Sequence, residues 1–335
     1  MKKLNFINKV IYLINYIFAT LLLVGFAVPH ISPKLFPILS VISLGVPVLI
    51  IINIIFLLYW LIGLKKQFIL SAFCLILSLF ISSPMYIFSK KEKSANNQIS
   101  IMNYNVRLFN KYQWVKDEEI PLKIAHFVKK EQPDILCIQE FNKTSKIKYP
   151  YQYIKMVNGN SHFGQAIYSK YKIINKGSLD FNKSSNNAIF IDVIKDIDTI
   201  RIYNIHLESL GLNINKENFG EKTSEKLIKR LSKDFVIQQK QVEQIIKHKN
   251  NCKYTTILSG DFNNTAYSWT YNHLLKDMKD SFIEAGYGFG KTFELKKIPL
   301  RIDFIFADKA FIFTEHKNYK NKFSDHEPIM AKIGI

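Results

Sequence analysis

Thr255-Thr256-Ile257-Leu258-Ser259-Gly260-Asp261-Phe262-Asn263 is the stretch on which the fold turns. It starts as a short apolar strand and ends in a glycine, a carboxylate and an amide. A strand that stops on polar groups is a common way for a scaffold to present chemistry. The pattern recurs along the chain. Asn105 ends the alternating run Ile99–Val106, and Glu140 follows Ile135–Gln139. His206 follows Ile200–Ile205, and Asp303 lies in Arg301-Ile302-Asp303-Phe304-Ile305-Phe306. Ser324-Asp325-His326-Glu327-Pro328 comes just before the last apolar run, Ile329–Ile333. Further strands are predicted at Ala166–Ser169 and Ala188–Ile194, with helices at Leu122–Lys130 and Ser224–Lys249. The second helix carries Leu227, Leu231, Val242 and Ile245 on one side. Gly211–Thr223 is polar and unpatterned and reads as a loop. Strands alternating with a few helices indicate an α/β or α+β sandwich.

Taken singly, these polar residues carry little. A carboxylate after a strand is more often a turn or helix cap, and a lone histidine is more often structural. Their joint order is far more specific. Gln139-Glu140, Gly164-Gln165-Ala166-Ile167-Tyr168-Ser169-Lys170, Gly260-Asp261-Phe262-Asn263, Arg301-Ile302-Asp303 and Ser324-Asp325-His326 together resemble the endonuclease/exonuclease/phosphatase superfamily. That superfamily includes DNase I, abasic-site endonucleases, neutral sphingomyelinases and inositol polyphosphate 5-phosphatases. The resemblance spans about Ile99 to Ile335. It implies an α/β fold of four layers, two mixed β-sheets face to face with helices outside.

The region before this body differs in composition. The chain has 335 residues, 46 basic and 27 acidic, for a net charge of +19. Met1–Phe88 contains six lysines and no acidic residue, leaving a net charge of +13 beyond it. Three apolar stretches, about Val10–Val28, Phe36–Leu64 and Phe68–Phe88, are each predicted to cross a bilayer, which takes about 20 helical residues. Pro47 is expected to kink the second. A cleaved signal peptide accounts for one such stretch, not three. The predicted organisation is therefore a transmembrane region at 1–88, a polar linker at 89–98 and a catalytic-type domain at 99–335. Lys2, Lys3 and Lys9 at the N-terminus, and Lys65 and Lys66 in the second loop, favour a cytoplasmic N-terminus and an extracytoplasmic body. Lys90, Lys91 and Lys93 argue the other way. The three cysteines show no pairing pattern.

Phosphoester hydrolysis needs charge neutralised on the phosphoryl oxygens, a water made nucleophilic and a stabilised leaving oxygen. Hard oxygen ligands suit Mg²⁺, with Mn²⁺ as the alternative. Glu140 is the leading ligand candidate, with Asn105 on a neighbouring strand; the resemblance adds Asp325. The resemblance also makes His326 and Asp303 a His–Asp pair, in which the carboxylate fixes the imidazole tautomer. It casts Asp261 as the carboxylate that orients or deprotonates water, Asn263 as a phosphate hydrogen-bonding residue, and His206 as a second histidine acting on the leaving group or phosphate. Arg107, two residues after Asn105, is a substrate-binding candidate because a guanidinium binds phosphate in a fork; packing as a strand-end charge is an equal alternative.

The expected partners are a lipid bilayer, through the N-terminal helices, and a phosphate-ester substrate. Nucleic acid and phospholipid head groups both remain open. The basic balance does not choose between them, because lysine outnumbers arginine by 42 to 4 and compositional bias accounts for it. Two other readings compete: a non-catalytic membrane-anchored adaptor that keeps the fold, and a transporter component. Spans without an intramembrane charge disfavour the transporter.

Overall fold

The computed structural model describes residues 4–88, 93–157, 163–211, 221–295 and 298–335. It divides into two units. One comprises 1–85, 219–239 and 265–273; the other comprises 86–218, 240–264 and 274–335.

In the first unit the apolar N-terminal sequence forms α1 (Phe6–Ala27), the single turn α2 (Pro37–Ser40), α3 (Ile42–Ile62) and α4 (Phe68–Ile81). Ala19, Leu22 and Phe26 of α1 pack with Val46, Leu49 and Ile50 of α3, Cys74 of α4 and Tyr267. Other apolar side chains, such as Leu13, Ile55 and Leu79, face outward and are exposed. An apolar exterior is what a bilayer requires. The bundle also has a polar centre. The Asn15 amide donates to Ser71 Oγ (2.8 Å), the Trp60 indole donates to Asn15 Oδ1 (2.9 Å) and Asn53 Nδ2 donates to the Leu49 carbonyl (2.9 Å).

Two helices, Phe6–His30 and Ile42–Ile62, are long and apolar enough to span a membrane. The expectation of three such helices is corrected. The third, α4, has 14 residues, about 21 Å at 1.5 Å per residue against a hydrocarbon core of about 30 Å. The reason is local. Pro84 disfavours helical geometry at Ser83, and Ser82 has already turned extended (φ −118°, ψ 152°). The second expected span is interrupted as well, because α2 and α3 are separate elements. Pro47 does not end α3, which continues to Ile62. Lacking an N–H, Pro47 leaves the Ser43 carbonyl, four residues back, without its helical donor. The Thr265 hydroxyl supplies one at 3.1 Å.

In the second unit, β-branched runs make two six-stranded sheets. The first has the order β13-β14-β1-β2-β4-β3: β1 (Gln98–Asn105), β2 (Ile135–Phe141), β3 (Tyr151–Met156), β4 (Gly164–Ser169), β13 (Ile312–Asn318) and β14 (Ile329–Gly334). The other has the order β5-β6-β7-β8-β12-β9: β5 (Ile173–Ser178), β6 (Asn187–Lys195), β7 (Asp198–His206), β8 (Thr255–Asp261), β9 (Met278–Asp280) and β12 (Asp303–Asp308). A small hairpin, β10 (Phe293–Leu295) with β11 (Ile298–Leu300), stands apart.

Both sheets are mixed, since β1–β2 and β7–β8 are parallel and their other pairings are antiparallel. Their facing sides share one core, in which Ile101, Ile135, Cys137 and Ile167 meet Ile191, Ile202, Ile257 and Ile305. On the outer face of the first sheet lies α5 (Ile120–Glu131), through Ile120, Ile124 and Val128. On the other sheet, the Tyr203 hydroxyl meets His248 of α6 (Glu221–Asn250) at 2.8 Å. Short helices α7 (Trp269–Leu275) and α8 (Ser281–Ala285) follow β8 and β9. This is the layered α/β sandwich that the sequence indicates.

The predicted loop at 211–223 is replaced by helix from Glu221 onward. Residues 212–220 lie outside the described residues, as do 89–92 of the predicted linker.

Candidate active site

Register brings the polar strand ends together. In the first sheet β1 and β2 run parallel, with Asn105 opposite Gln139. The β2–β4 pairing is broken by a bulge between Ile138 and Phe141, and Glu140 within it has φ 50°. A bulge re-aims a side chain out of the regular alternation, so Glu140 turns to the strand end beside Asn105. In the second sheet β7 and β8 are parallel with His206 opposite Asp261, and β12 is antiparallel with Asp303 opposite Asp261. The three residues therefore form a row. His326, in the loop before β14, is bridged to Phe293.

The two rows are hydrogen-bonded across the sandwich. Asn105 Nδ2 donates to Asp261 Oδ2 at 3.0 Å, and Asn103 Nδ2 donates to Asp303 Oδ1 at 3.1 Å. Asp303 Oδ2 holds His326 Nδ1 at 2.9 Å. Asp261 Oδ2 lies 3.7 Å from Nε2 of both His206 and His326. Its other oxygen accepts from the Asn263 backbone N–H at 2.8 Å. Asp261, Asp303, His206 and His326 are all buried.

The electrostatics separate the two imidazoles. Burial opposes charge on His326, but Asp303 and Asp261 outweigh it and push its pKa up to about 10. His206 is pushed down to about 4, chiefly by burial, with Asp261 opposing. One ring is thus cationic and the other neutral. Burial also raises the Asp261 carboxyl. Glu140 is pushed up to about 7 by burial, with His326 opposing and the neighbouring Asp325 and Asp261 adding to the rise.

That crowding bears on a cation. Glu140 and Asp325 are hard oxygen donors on the site's rim, and a divalent ion there would offset the burial, and the lesser carboxylate repulsion, that raise Glu140. Asp261, Asp303 and His326 also present donor atoms within 4.8 Å of one another. In that trio Asp303 Oδ2 is already hydrogen-bonded to His326 Nδ1. The carboxylates gathered here are donors of the kind that a hard divalent ion such as Mg²⁺ or Mn²⁺ takes.

Three expectations need refinement. Asn105 turns Nδ2 toward Asp261 and also hydrogen-bonds Glu140, while its Oδ1 accepts from the Arg107 N–H at 3.1 Å. As oriented, Asn105 bridges the Asp261 and Glu140 carboxylates. The Asn263 side-chain amide, expected on phosphate, donates to the Leu207 carbonyl at 2.9 Å. Arg107 reaches the site edge, where it pairs with Asp325 at 3.3 Å and stacks on Trp114 at 4.3 Å. It opens a left-handed turn in which Arg107, Leu108, Phe109 and Asn110 all have φ between 43° and 61°. Arg301 is buried and paired with Asp280, a structural role.

Beneath the site lies a buried amide layer that the sequence reading passed over. Gln139 Nε2 donates to Asn103 Oδ1 (2.7 Å) and Asn204 Oδ1 (2.6 Å), and Ser259 Oγ donates to Asn103 Oδ1 (3.2 Å). The missed signal is period two. Asn103, Asn204 and Ser259 each precede a site residue, Asn105, His206 and Asp261, by two positions and so share its strand face. Beside His206 opens a cleft of about 750 Å³, lined in part by Lys155, Gln165, Phe181, Lys183 and Ser185.

A family model described as the endonuclease/exonuclease/phosphatase family matches residues 102–326. The chain belongs to this family of phosphoester hydrolases. A second model, described as a domain of unknown function (DUF8431), matches residues 8–84. No curated protein matches the chain.

Solved structures agree on the fold. An endonuclease/exonuclease/phosphatase from Bacteroides vulgatus is 16% identical, covering 72% of this chain and 100% of that one, with a TM-score of 0.55. The human Nocturnin catalytic domain with bound sulfate is 16% identical, covering 74% and 97%, at 0.54. A mannosyl-6-phosphatase from Bacteroides thetaiotaomicron is 16% identical, covering 71% and 100%, at 0.50.

Proposed function

We propose that this family member is a divalent-metal-dependent phosphoester hydrolase held at a membrane by its N-terminal apolar helices. The observation that carries the reading is the placement of buried Asp261 between two imidazoles, 3.7 Å from each, one of them held by Asp303. Glu140 and Asp325, with Asn105 beside them, would hold Mg²⁺ or Mn²⁺, which when bound neutralises charge on the phosphoryl oxygens.

The chain's own residues supply the rest. Asp261 accepts the proton of the attacking water. Its carboxylate is aimed by Asn105 and the Asn263 N–H, so it needs no reorganisation. Cationic His326, oriented by Asp303, places a positive N–H against the phosphoryl group and gives the leaving oxygen its proton. Neutral His206 hydrogen-bonds the ester on the cleft side. Water forms the new P–O bond as the P–O bond to the alcohol breaks, with no covalent enzyme intermediate. The cleft beside His206 takes the alcohol portion.

The helices fit an anchor through their apolar exterior. The short α4 packs into the same bundle without a full span of its own. The lysines before the first helix favour a cytoplasmic N-terminus.

The test is turnover by the full chain in detergent with Mg²⁺ or Mn²⁺, against plasmid DNA, RNA, sphingomyelin, phosphoinositides and a nitrophenyl phosphodiester. Hydrolysis abolished by EDTA and restored by the metal supports the reading. A folded, metal-replete chain inert on every substrate class contradicts it.

A further inference from the structure

Four aromatic side chains outside the catalytic site form one cluster, three of them exposed and Tyr86 half-buried. Phe88 is 86% exposed, Tyr287 54% and Phe289 50%. Tyr86 sits at their centre, with ring centroids 4.8 Å from Phe88, 4.8 Å from Phe289 and 6.3 Å from Tyr287. The Tyr86 and Tyr287 hydroxyls are hydrogen-bonded to one another.

The cluster is built into the backbone. Ile87 N–H donates to the Gly288 carbonyl and Gly288 N–H to the Ile87 carbonyl, both at 2.9 Å. Gly288 and Gly290 take φ of 78° and 62°, a left-handed geometry that side chains other than glycine resist. Around the rings opens a hollow of about 540 Å³ whose walls include Lys320, together with Lys291 and Lys317, which are paired with Glu327 at 2.8 Å and Glu315 at 2.9 Å. Leaving large aromatic rings in water is costly at about 25 cal/mol per Å² of apolar surface, so a fixed, exposed set implies something that covers it.

We infer that this aromatic cluster is a surface that seats on a phospholipid bilayer. Tyrosine and phenylalanine beside a lysine match a lipid boundary, where the rings enter the acyl edge and the Lys320 ammonium meets phosphate. Chain length points the same way. Tyr86 follows the end of α4 at Ile81 by five residues, a tether of at most about 17 Å at about 3.4 Å per residue. The loop also leads into the site: Thr292 Oγ1 accepts from the Ile302 and Asp303 N–H groups, and the Phe293 ring lies 5.0 Å from that of His326. Seating the loop thus brings the catalytic pair to the head-group layer. This rests on the reading that the apolar helices enter a bilayer.

The test uses the full chain, with Cys252→Ser, in vesicles of phosphatidylcholine and phosphatidylglycerol. A single cysteine is introduced as Phe289→Cys, Leu79→Cys or Ile197→Cys, labelled with an environment-sensitive fluorophore, and challenged with doxyl-labelled lipid. Leu79 is an exposed residue of α4, 79% accessible; Ile197, 96% accessible, lies in the turn at the end of β7 opposite His206. The label at 289 should be quenched at least about twofold more than that at 197, as expected within ~5–10 Å of the acyl boundary. Quenching at 79 with none at 289 above the 197 level overturns the seating surface alone. No quenching at 79 overturns the membrane reading and this inference with it.

Discussion

Asp303→Asn removes one charge from the catalytic pair while keeping its shape. In the native site Asp303 Oδ1 accepts from Asn103 and Oδ2 holds His326 Nδ1. An asparagine has one acceptor and one donor end. If its oxygen faces His326, its NH₂ opposes the Asn103 NH₂; if it flips, the imidazolium proton loses its acceptor. Asn103 cannot simply turn, because its own oxygen accepts from Gln139 and Ser259. Removing one partner of a buried charged pair costs about 3–5 kcal/mol. If His326 acts as a cation in the transition state, that loss lowers kcat/KM by about a hundredfold to several thousandfold, at 1.36 kcal/mol per decade. The assay is steady-state hydrolysis of a phosphodiester at saturating Mg²⁺, with thermal denaturation run in parallel to confirm folding. A folded Asp303→Asn enzyme within about threefold of wild type refutes the role assigned to the pair.

Other consequences follow from separate parts of the molecule. His316 is buried, with Nδ1 at 2.9 Å from Ser281 Oγ and Nε2 at 3.1 Å from Asn318 Oδ1, and burial lowers its pKa from 6.5 to about 4. The unfolded chain therefore takes a proton below pH 6.5 that the folded chain refuses. Stability from this group is present above that pH and lost as pH falls through 4, by up to about 3 kcal/mol. His316→Gln should flatten urea-melt stability over that window, and an unchanged slope would rule His316 out as its source. Thr265→Val leaves the Ser43 carbonyl of α3 without its donor and should cost about 1–3 kcal/mol in thermal or denaturant unfolding; a neutral result would mean the contact contributes nothing. In the cleft, Gln165 Nε2 donates to the Asn204 carbonyl at 3.3 Å, while its Oε1 has no hydrogen-bond partner among the described residues. Gln165→Leu should raise KM for substrates whose alcohol carries hydroxyl donors, by about tenfold per lost hydrogen bond, and leave a nitrophenyl ester unaffected. Equal effects on both would show that Gln165 is structural.

The sequence displayed the central strands because they are buried on both faces and written in isoleucine, leucine and valine. It displayed the site because each chemical residue stands at the end of such a strand. The edge strands β3 and β5 escaped for the opposite reason: Gln152, Asn175 and Lys176 interrupt their apolar pattern where one face meets solvent. The bulge at Glu140 was also hidden, since backbone φ leaves no compositional mark at a glutamate. Polar residues within strands, Asn103 and Asn204 above all, read as interruptions when they form the hydrogen-bonded floor of the site. The third apolar run looked long enough to span because hydropathy sums across Ser82-Ser83-Pro84, whereas the helix stops there.

The claim on which the account rests is that one pocket holds both the hard cation and the Asp261–His326 chemistry. Anomalous scattering from crystals of the protein grown with Mn²⁺ and phosphate measures this directly. The account predicts a manganese peak bonded to the Glu140 carboxylate, with phosphate between it and His326. A manganese ion found only elsewhere, with Glu140 bare and phosphate away from His326, would contradict it.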